Sequence, residues 1–158
     1  MSFTIRPMLW QDVKKIAAWC YEEPYTEYNG EALAFSLYTF VLFRPLFALL
    51  GEENFAVDNQ DGELAGFFQF IRLFQHRVTI GLGMRPDLTG HGQGLAFVEA
   101  GIEFGKSRYH PLTFGLTVRV ANQRAFKVYS RAGFQKIKRT ISITSRGLEA
   151  NYKMQRDA

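Results

Sequence analysis

With a single cysteine, Cys20, the 158-residue chain can form no internal disulfide. A reducing, cytoplasmic setting is therefore expected. Its three histidines, His76, His91 and His110, are scattered, and one cysteine adds no metal-ligand spacing to them, so no metal site is expected. The N-terminus lacks a basic region followed by an apolar signal core. The most apolar stretch, residues 32–50, is broken by Arg44 and Pro45, which argues against a membrane span. No basic run is interleaved with aromatics, so the net charge of +4 suits an anionic small ligand rather than nucleic acid. There is no repeat, low-complexity stretch or linker, and residues 1–158 read as one domain.

Phenylalanine is abundant, at 15 residues, which predicts an aromatic-rich core, an apolar groove, or both. The alternation of patterns predicts an α/β (α+β) chain. Residues 2–6 form a strand that Pro7 stops. A helix over 10–20 has Leu9, Val13, Ile16, Ala17 and Cys20 at helical spacing, with Cys20 buried. A second, largely apolar helix covers 31–44, with Leu33, Phe35, Leu37, Phe40, Val41 and Phe43. Strands follow at 55–58, 64–74 and 78–84, the first two joined by an Asn59 to Gly62 turn. A helix over 93–106, a strand over 112–120, a helix over 123–132 and closing strands at 135–144 and 148–155 complete the order. The closing strands are expected to turn at Ser145, Arg146 and Gly147.

Between the two helices, Trp19, Tyr21, Tyr25 and Tyr28 crowd around Glu22, Glu23, Pro24 and Glu27. Aromatics beside carboxylates can line a pocket for a cationic amine; the alternative is a partly buried loop packing its rings on the core. The central stretch, residues 84–97, places Gly90, Gly92 and Gly94 between a strand and a helix. Such a loop can aim several N–H groups at one point, next to the positive end of the helix, and so cradle a diphosphate. It can equally be a turn that binds nothing. Farther on, Asn122, Phe126 and Tyr129 fall at i, i+4 and i+7 on one helix face. N-capping alone also explains Asn122, and core packing explains Tyr129.

The order and spacing of these elements resemble the GNAT superfamily of N-acetyltransferases. The matching residues are Met84 and Pro86, then Thr89-Gly90-His91-Gly92-Gln93-Gly94, then Asn122, Tyr129 and Ala132-Gly133-Phe134. The resemblance implies a mixed, mostly antiparallel sheet of six to seven strands with about four helices, splayed between the fourth and fifth strands. It implies acetyl-coenzyme A as donor, with no metal, and a primary amine of a small molecule, peptide or protein as acceptor. Backbone N–H groups of His91, Gly92, Gln93, Gly94 and Leu95 would hold the pyrophosphate, and the strand edge at Leu82, Gly83 and Met84 would pair with the pantetheine arm. Asn122 would bond the pantetheine, with Phe126 on the same face, and Tyr129 would protonate the departing thiolate as general acid.

Two positions depart from the family pattern. Thr89 stands where Arg or Gln is usual, and the strand before the loop carries no glutamate where many members place a general base. Glu22, Glu23, Glu27, His76 or a water chain remain as routes for the amine's proton, and none is assigned. A non-catalytic acyl-coenzyme A sensor is the alternative class. The apolar second helix and the late strands are compatible with a homodimer.

Overall fold

The computed structural model describes residues 2–73, 76–144 and 147–158, and only the backbone of 31–36, 73 and 144. Its strands are β1 (Thr4–Pro7), β2 (Glu52–Asp58), β3 (Leu64–Leu73), β4 (Arg77–Met84), β5 (Thr113–Arg119), β6 (Gln135–Thr144) and β7 (Gly147–Asp157). Its helices are α1 (Trp10–Ala17), α2 (Gly30–Leu42), α3 (Arg44–Leu49), α4 (Gly94–Tyr109) and α5 (Gln123–Arg131). The strands form one mixed sheet in the order β1-β2-β3-β4-β5-β7-β6, mostly antiparallel, with β4 and β5 parallel. By contacts the chain divides into two compact units, Met1–Ile71 with Leu82–Gln93, and Arg72–Gly81 with Gly94–Ala158.

In the first unit β1 pairs antiparallel with β2, and β2 with β3. Pro7 is included in β1 rather than ending before it, opposite Phe55, which the edge position of β1 permits. The turn after β2 is held by Asn59, whose Oδ1 accepts from the N–H groups of Asp61 and Glu63. Gly62 supplies the positive φ of 76° that this turn requires. The core groups Val13 and Ile16 of α1 with Met8, Trp19, Leu37, Ala56, Leu64 and Phe67.

Two helix expectations need correction. Helix α1 stops at Ala17, and Cys20 lies beyond it, exposed rather than buried. The Trp19 N–H closes on Ile16 O and the Trp19 carbonyl accepts from Gly30 N–H, so the chain turns away before Cys20 can pack. The second helix is two: α2 ends at Leu42 with Phe43 (φ −110°) as its cap, and α3 begins at Arg44 with Pro45 in its first turn, where a missing N–H costs nothing. The expected packing of Leu33 and Phe35 lies outside the described side chains, as do Phe74 and the turn residues Ser145 and Arg146.

One partly buried ion network in this unit had no signal in the sequence pattern. Arg6 grips the Asp12 carboxylate at 2.7 and 2.9 Å and the Asp58 carboxylate at 2.6 and 3.0 Å. Asp12 Oδ2 also accepts the Leu9 N–H at 2.8 Å, satisfying a donor that the helix start leaves unpaired. Burial pushes the Asp12 carboxyl up. The Arg6 hydrogen bonds, the Leu9 N–H and the positive charges of Arg6 and Lys15 outweigh it and hold the group below its ordinary value. A lowered folded pKa stabilises the fold above the unfolded carboxylate pKa of about 3.9, and that stability is lost as pH falls through the folded value. Asp12→Asn should therefore cost about 2 kcal/mol at pH 7, Arg6 keeping Asp58 as a partner. In urea unfolding, the gap between variant and wild type should close below about pH 4.

In the second unit β5 pairs antiparallel with β7, and β7 with β6. Phe114, Leu116 and Val118 form the buried face of β5, as their alternation predicts. Leu112, the first residue of the expected strand over 112–120, precedes the observed strand and is exposed. The parallel ladder between β4 and β5 covers Arg77, Val78 and Thr79 only, three residues of an eight-residue strand. This is the expected splay between the fourth and fifth strands. Helix α4 closes the unit with Phe97, Val98 and Ile102 buried.

Candidate active site

The first unit contains the end of β4 and the glycine loop. Gly83 lies on the ring of Phe67: a Cβ there would come within 2.8 Å of Phe67 Cζ, so only glycine fits without displacing the ring. The following peptide is fixed at both polar ends. Met84 O accepts from the Tyr21 hydroxyl at 2.7 Å, and Arg85 N–H donates to Ala65 O at 2.8 Å. Leu82, Gly83 and Met84 are all half-buried.

After a short helical turn over Pro86–Leu88, the Thr89 hydroxyl donates to Pro86 O at 2.6 Å, so this side chain serves the loop's own shape. Arg85 reinforces the turn through Asp87 (2.7 Å) and Glu63 (3.3 Å). Gly90 and Gly92 have φ of 85° and 78°, and no protein atom lies within 4 Å of where either Cβ would be. Among the described residues, the N–H groups of Gly90, His91, Gly92 and Gln93 donate to no backbone carbonyl. His91 is exposed. Gln93 Oε1 is buried without a hydrogen-bond donor.

The second unit contains the start of α4 and all of α5. Helix α4 begins at Gly94, has no acidic residue in its first turn, and leaves its first N–H groups without intrahelical partners. Gly94 allows α5 to approach: a Cβ there would sit 3.1 Å from Val128 Cγ2. The helix of Asn122 and Tyr129 therefore lies beside the start of α4. Asn122 caps α5, its Oδ1 accepting from Ala125 N–H at 3.1 Å. Phe126 packs its ring against Tyr152 at 5.4 Å. Tyr129 is half-buried and meets Phe134 edge-on at 6.4 Å, while its carbonyl accepts from Phe134 N–H as the chain leaves the helix through Gly133 (φ 87°).

The aromatic and acidic segment divides in two. Trp19 belongs to the core, stacked on Phe67 at 6.3 Å. The rest forms a closed loop whose neck is tied by Gly30 N–H to Trp19 O (2.8 Å) and by Tyr21 N–H to Asn29 Oδ1 (2.7 Å). Glu22 and Glu23 are exposed on this loop, and Tyr25, Glu27 and Tyr28 are half-buried. His76, the remaining candidate base, is exposed and precedes β4, whereas Met84 ends it. Sequence reasoning placed Tyr21 in the segment but gave no sign of its Met84 partner, 63 residues away. Among the described residues no three His, Cys, Asp or Glu side chains are grouped to hold a metal, and no helix is long and apolar enough to cross a membrane.

The sequence model of the acetyltransferase (GNAT) family matches residues 10–134. No curated protein matches the chain. A solved chimera of the Vibrio cholerae spermidine N-acetyltransferase SpeG and hSSAT superposes with a TM-score of 0.76 at 15% identity, covering 99% of this chain and 96% of that one. The Vibrio cholerae spermidine N-acetyltransferase in complex with CoA and spermine gives 0.70 at 18% identity, covering 98% and 95%. A dodecameric form of that enzyme gives 0.72 at 17% identity, covering 98% and 93%. Fold and family match together define an acyltransferase. The chain belongs to the acetyltransferase (GNAT) family.

Proposed function

We propose that this enzyme transfers an acetyl group from acetyl-coenzyme A to a primary amine by direct attack in a ternary complex. The observation that carries the reading is the loop at Gly90 and Gly92, with positive φ, open space where side chains would stand, and N–H groups without backbone acceptors. It suits a diphosphate, and the N–H groups at the start of α4 continue the series along the chain. Thr89 contributes a hydroxyl turned back on the loop rather than a long side chain, so the backbone from His91 to Leu95 does the holding.

In this reading the edge of β4 at Leu82 and Met84 pairs with the amide-bearing pantetheine arm, adding a strand by main-chain bonds. The unsatisfied Gln93 Oε1 is an acceptor suited to a donor-bearing ligand, since leaving it buried and alone costs about 1–3 kcal/mol. Asn122 uses Oδ1 for its cap and keeps Nδ2 to offer to the donor substrate. The amine must first lose a proton, because an alkyl ammonium titrates near pH 10. Its nitrogen then bonds to the thioester carbonyl carbon, the carbon–sulfur bond breaks as the thiolate takes a proton from Tyr129, and the proton that the nitrogen sheds as the amide forms returns through water to the Tyr129 phenolate. The loop with Glu22, Tyr25, Glu27 and Tyr28 takes the acceptor. Spermidine is the first amine to test, since the superposed enzymes are described as spermidine N-acetyltransferases. Ile141, Ile143 and Leu148, exposed on the β6–β7 hairpin, are the side chains a homodimer would cover.

Calorimetric titration should give binding of acetyl-coenzyme A and coenzyme A at least tenfold tighter than of ATP. Thiol release should then follow addition of one member of a panel of primary amines. Equal binding of ATP would make the loop a general phosphate site. Selective binding with no thiol release across the panel would favour a sensor.

A further inference from the structure

We infer that Tyr21 is a positioning residue that fastens the acceptor loop to the strand holding the donor, an inference that rests on the acetyltransferase reading above. Three observations meet at this side chain. Its hydroxyl donates to Met84 O at 2.7 Å, its backbone N–H donates to Asn29 Oδ1 at 2.7 Å, and its ring meets Tyr28 edge-on at 6.4 Å. Tyr21 is thus bound to both sides of the loop neck and to the last residue of β4.

The loop also carries local bonds of its own. Tyr25 N–H donates to Glu22 O, Tyr28 N–H to Tyr25 O, and the Thr26 hydroxyl to the Glu23 carboxylate. These bonds close single turns, so both their protection from exchange and the placement of the loop depend on its attachments. At the far end of the hydroxyl's bond, the Met84–Arg85 peptide is already held by Ala65, and Gly83 rests on Phe67. The strand end keeps its position without Tyr21. The loop loses its hydroxyl bond to Met84.

That asymmetry sets the expected signature. Reacting groups must be held close to attack geometry, and small misplacements are costly. Removing the hydroxyl should release the acceptor side and leave the donor side intact. Tyr21→Phe should raise the KM for the amine about fivefold and lower kcat about twofold, together the roughly tenfold that one ordinary hydrogen bond can supply. The Kd for acetyl-coenzyme A should stay within about twofold. Amide exchange of residues 22–28, followed by mass spectrometry without any ligand, should speed up about tenfold while the melting temperature hardly moves.

Tyr21→Leu removes the ring as well and separates packing from the latch. If Tyr21→Phe behaves as wild type and only Tyr21→Leu is impaired, the ring acts by packing and the inference is overturned. An equal loss of donor and acceptor affinity in Tyr21→Phe would also overturn it, as general loosening. If wild-type protein neither binds acetyl-coenzyme A nor releases thiol, the acetyltransferase reading fails. The exchange comparison needs no substrate, so unchanged exchange in Tyr21→Phe would still sink the latch by itself.

Discussion

Gly30→Ala should destabilise the protein by at least about 3 kcal/mol, although helix propensity alone predicts the opposite sign. Gly30 is the first residue of α2, and alanine is favoured over glycine in helices by about 1 kcal/mol. The position overrides that preference. A Cβ would overlap Ile16 O and stand 2.6 Å from Ile16 C and 2.9 Å from Ala17 C. Those are backbone atoms of α1 and cannot rotate away as a side chain can. Separating the helices would also stretch the 2.8 Å bond from Gly30 N–H to Trp19 O, which closes the neck of the loop over residues 19–30. Urea unfolding should show the midpoint shifted and the slope kept. Gly62→Ala is the control. Its φ of 76° strains any side chain, but no atom lies within 4 Å, so it should lose only about 1 kcal/mol. Equal losses at the two positions would mean that backbone conformation, not the approach of α2 to α1, sets the cost at Gly30.

This close approach was not legible in the sequence, and the reason is general for the chain. Signals that were legible are local. Gly90 and Gly92 announce positive φ, Asn122 announces a cap, Gly133 a helix stop, and the alternation at Phe114, Leu116 and Val118 a buried face. Each is decided within a few residues, so strand and helix order could be read from residue spacing. The misread features depend on partners distant in sequence or on competition between weak terms. Cys20 has helical spacing from Ile16, yet the turn made by Trp19 and Gly30 exposes it. The Arg6 network spans 52 residues to Asp58, and no periodicity marks a charged residue as buried. Tyr21 looked like one of several pocket aromatics, and only the fold shows which carbonyl its hydroxyl meets. The break between α2 and α3 is half visible, since Pro45 interrupts the apolar run while nothing local marks it as the start of a helix.

Tyr129→Phe should lower kcat about 100-fold while changing the Kd for acetyl-coenzyme A less than about twofold. The size of the effect can be argued from acidity. In water a phenol titrating near 10 is a weaker acid than a thiol titrating near 8.5, so proton transfer to the free thiolate is uphill by about 2 kcal/mol. A site that desolvates the departing thiolate more than the phenol reverses this, because losing water raises the thiolate's basicity. The proton from Tyr129 is then needed as the carbon–sulfur bond breaks. It is not needed while the donor is merely bound, so affinity is spared. A donor thioester built on a more acidic thiol leaves without help, and with it the deficit of Tyr129→Phe should shrink towards a few-fold. Single-turnover kinetics with both donors would separate this from a packing defect. The Tyr129 ring also touches Phe134 beside the helix stop, and a packing defect would slow both donors alike. Equal slowing of both donors would remove Tyr129 from the proton path and leave it as a wall of the site.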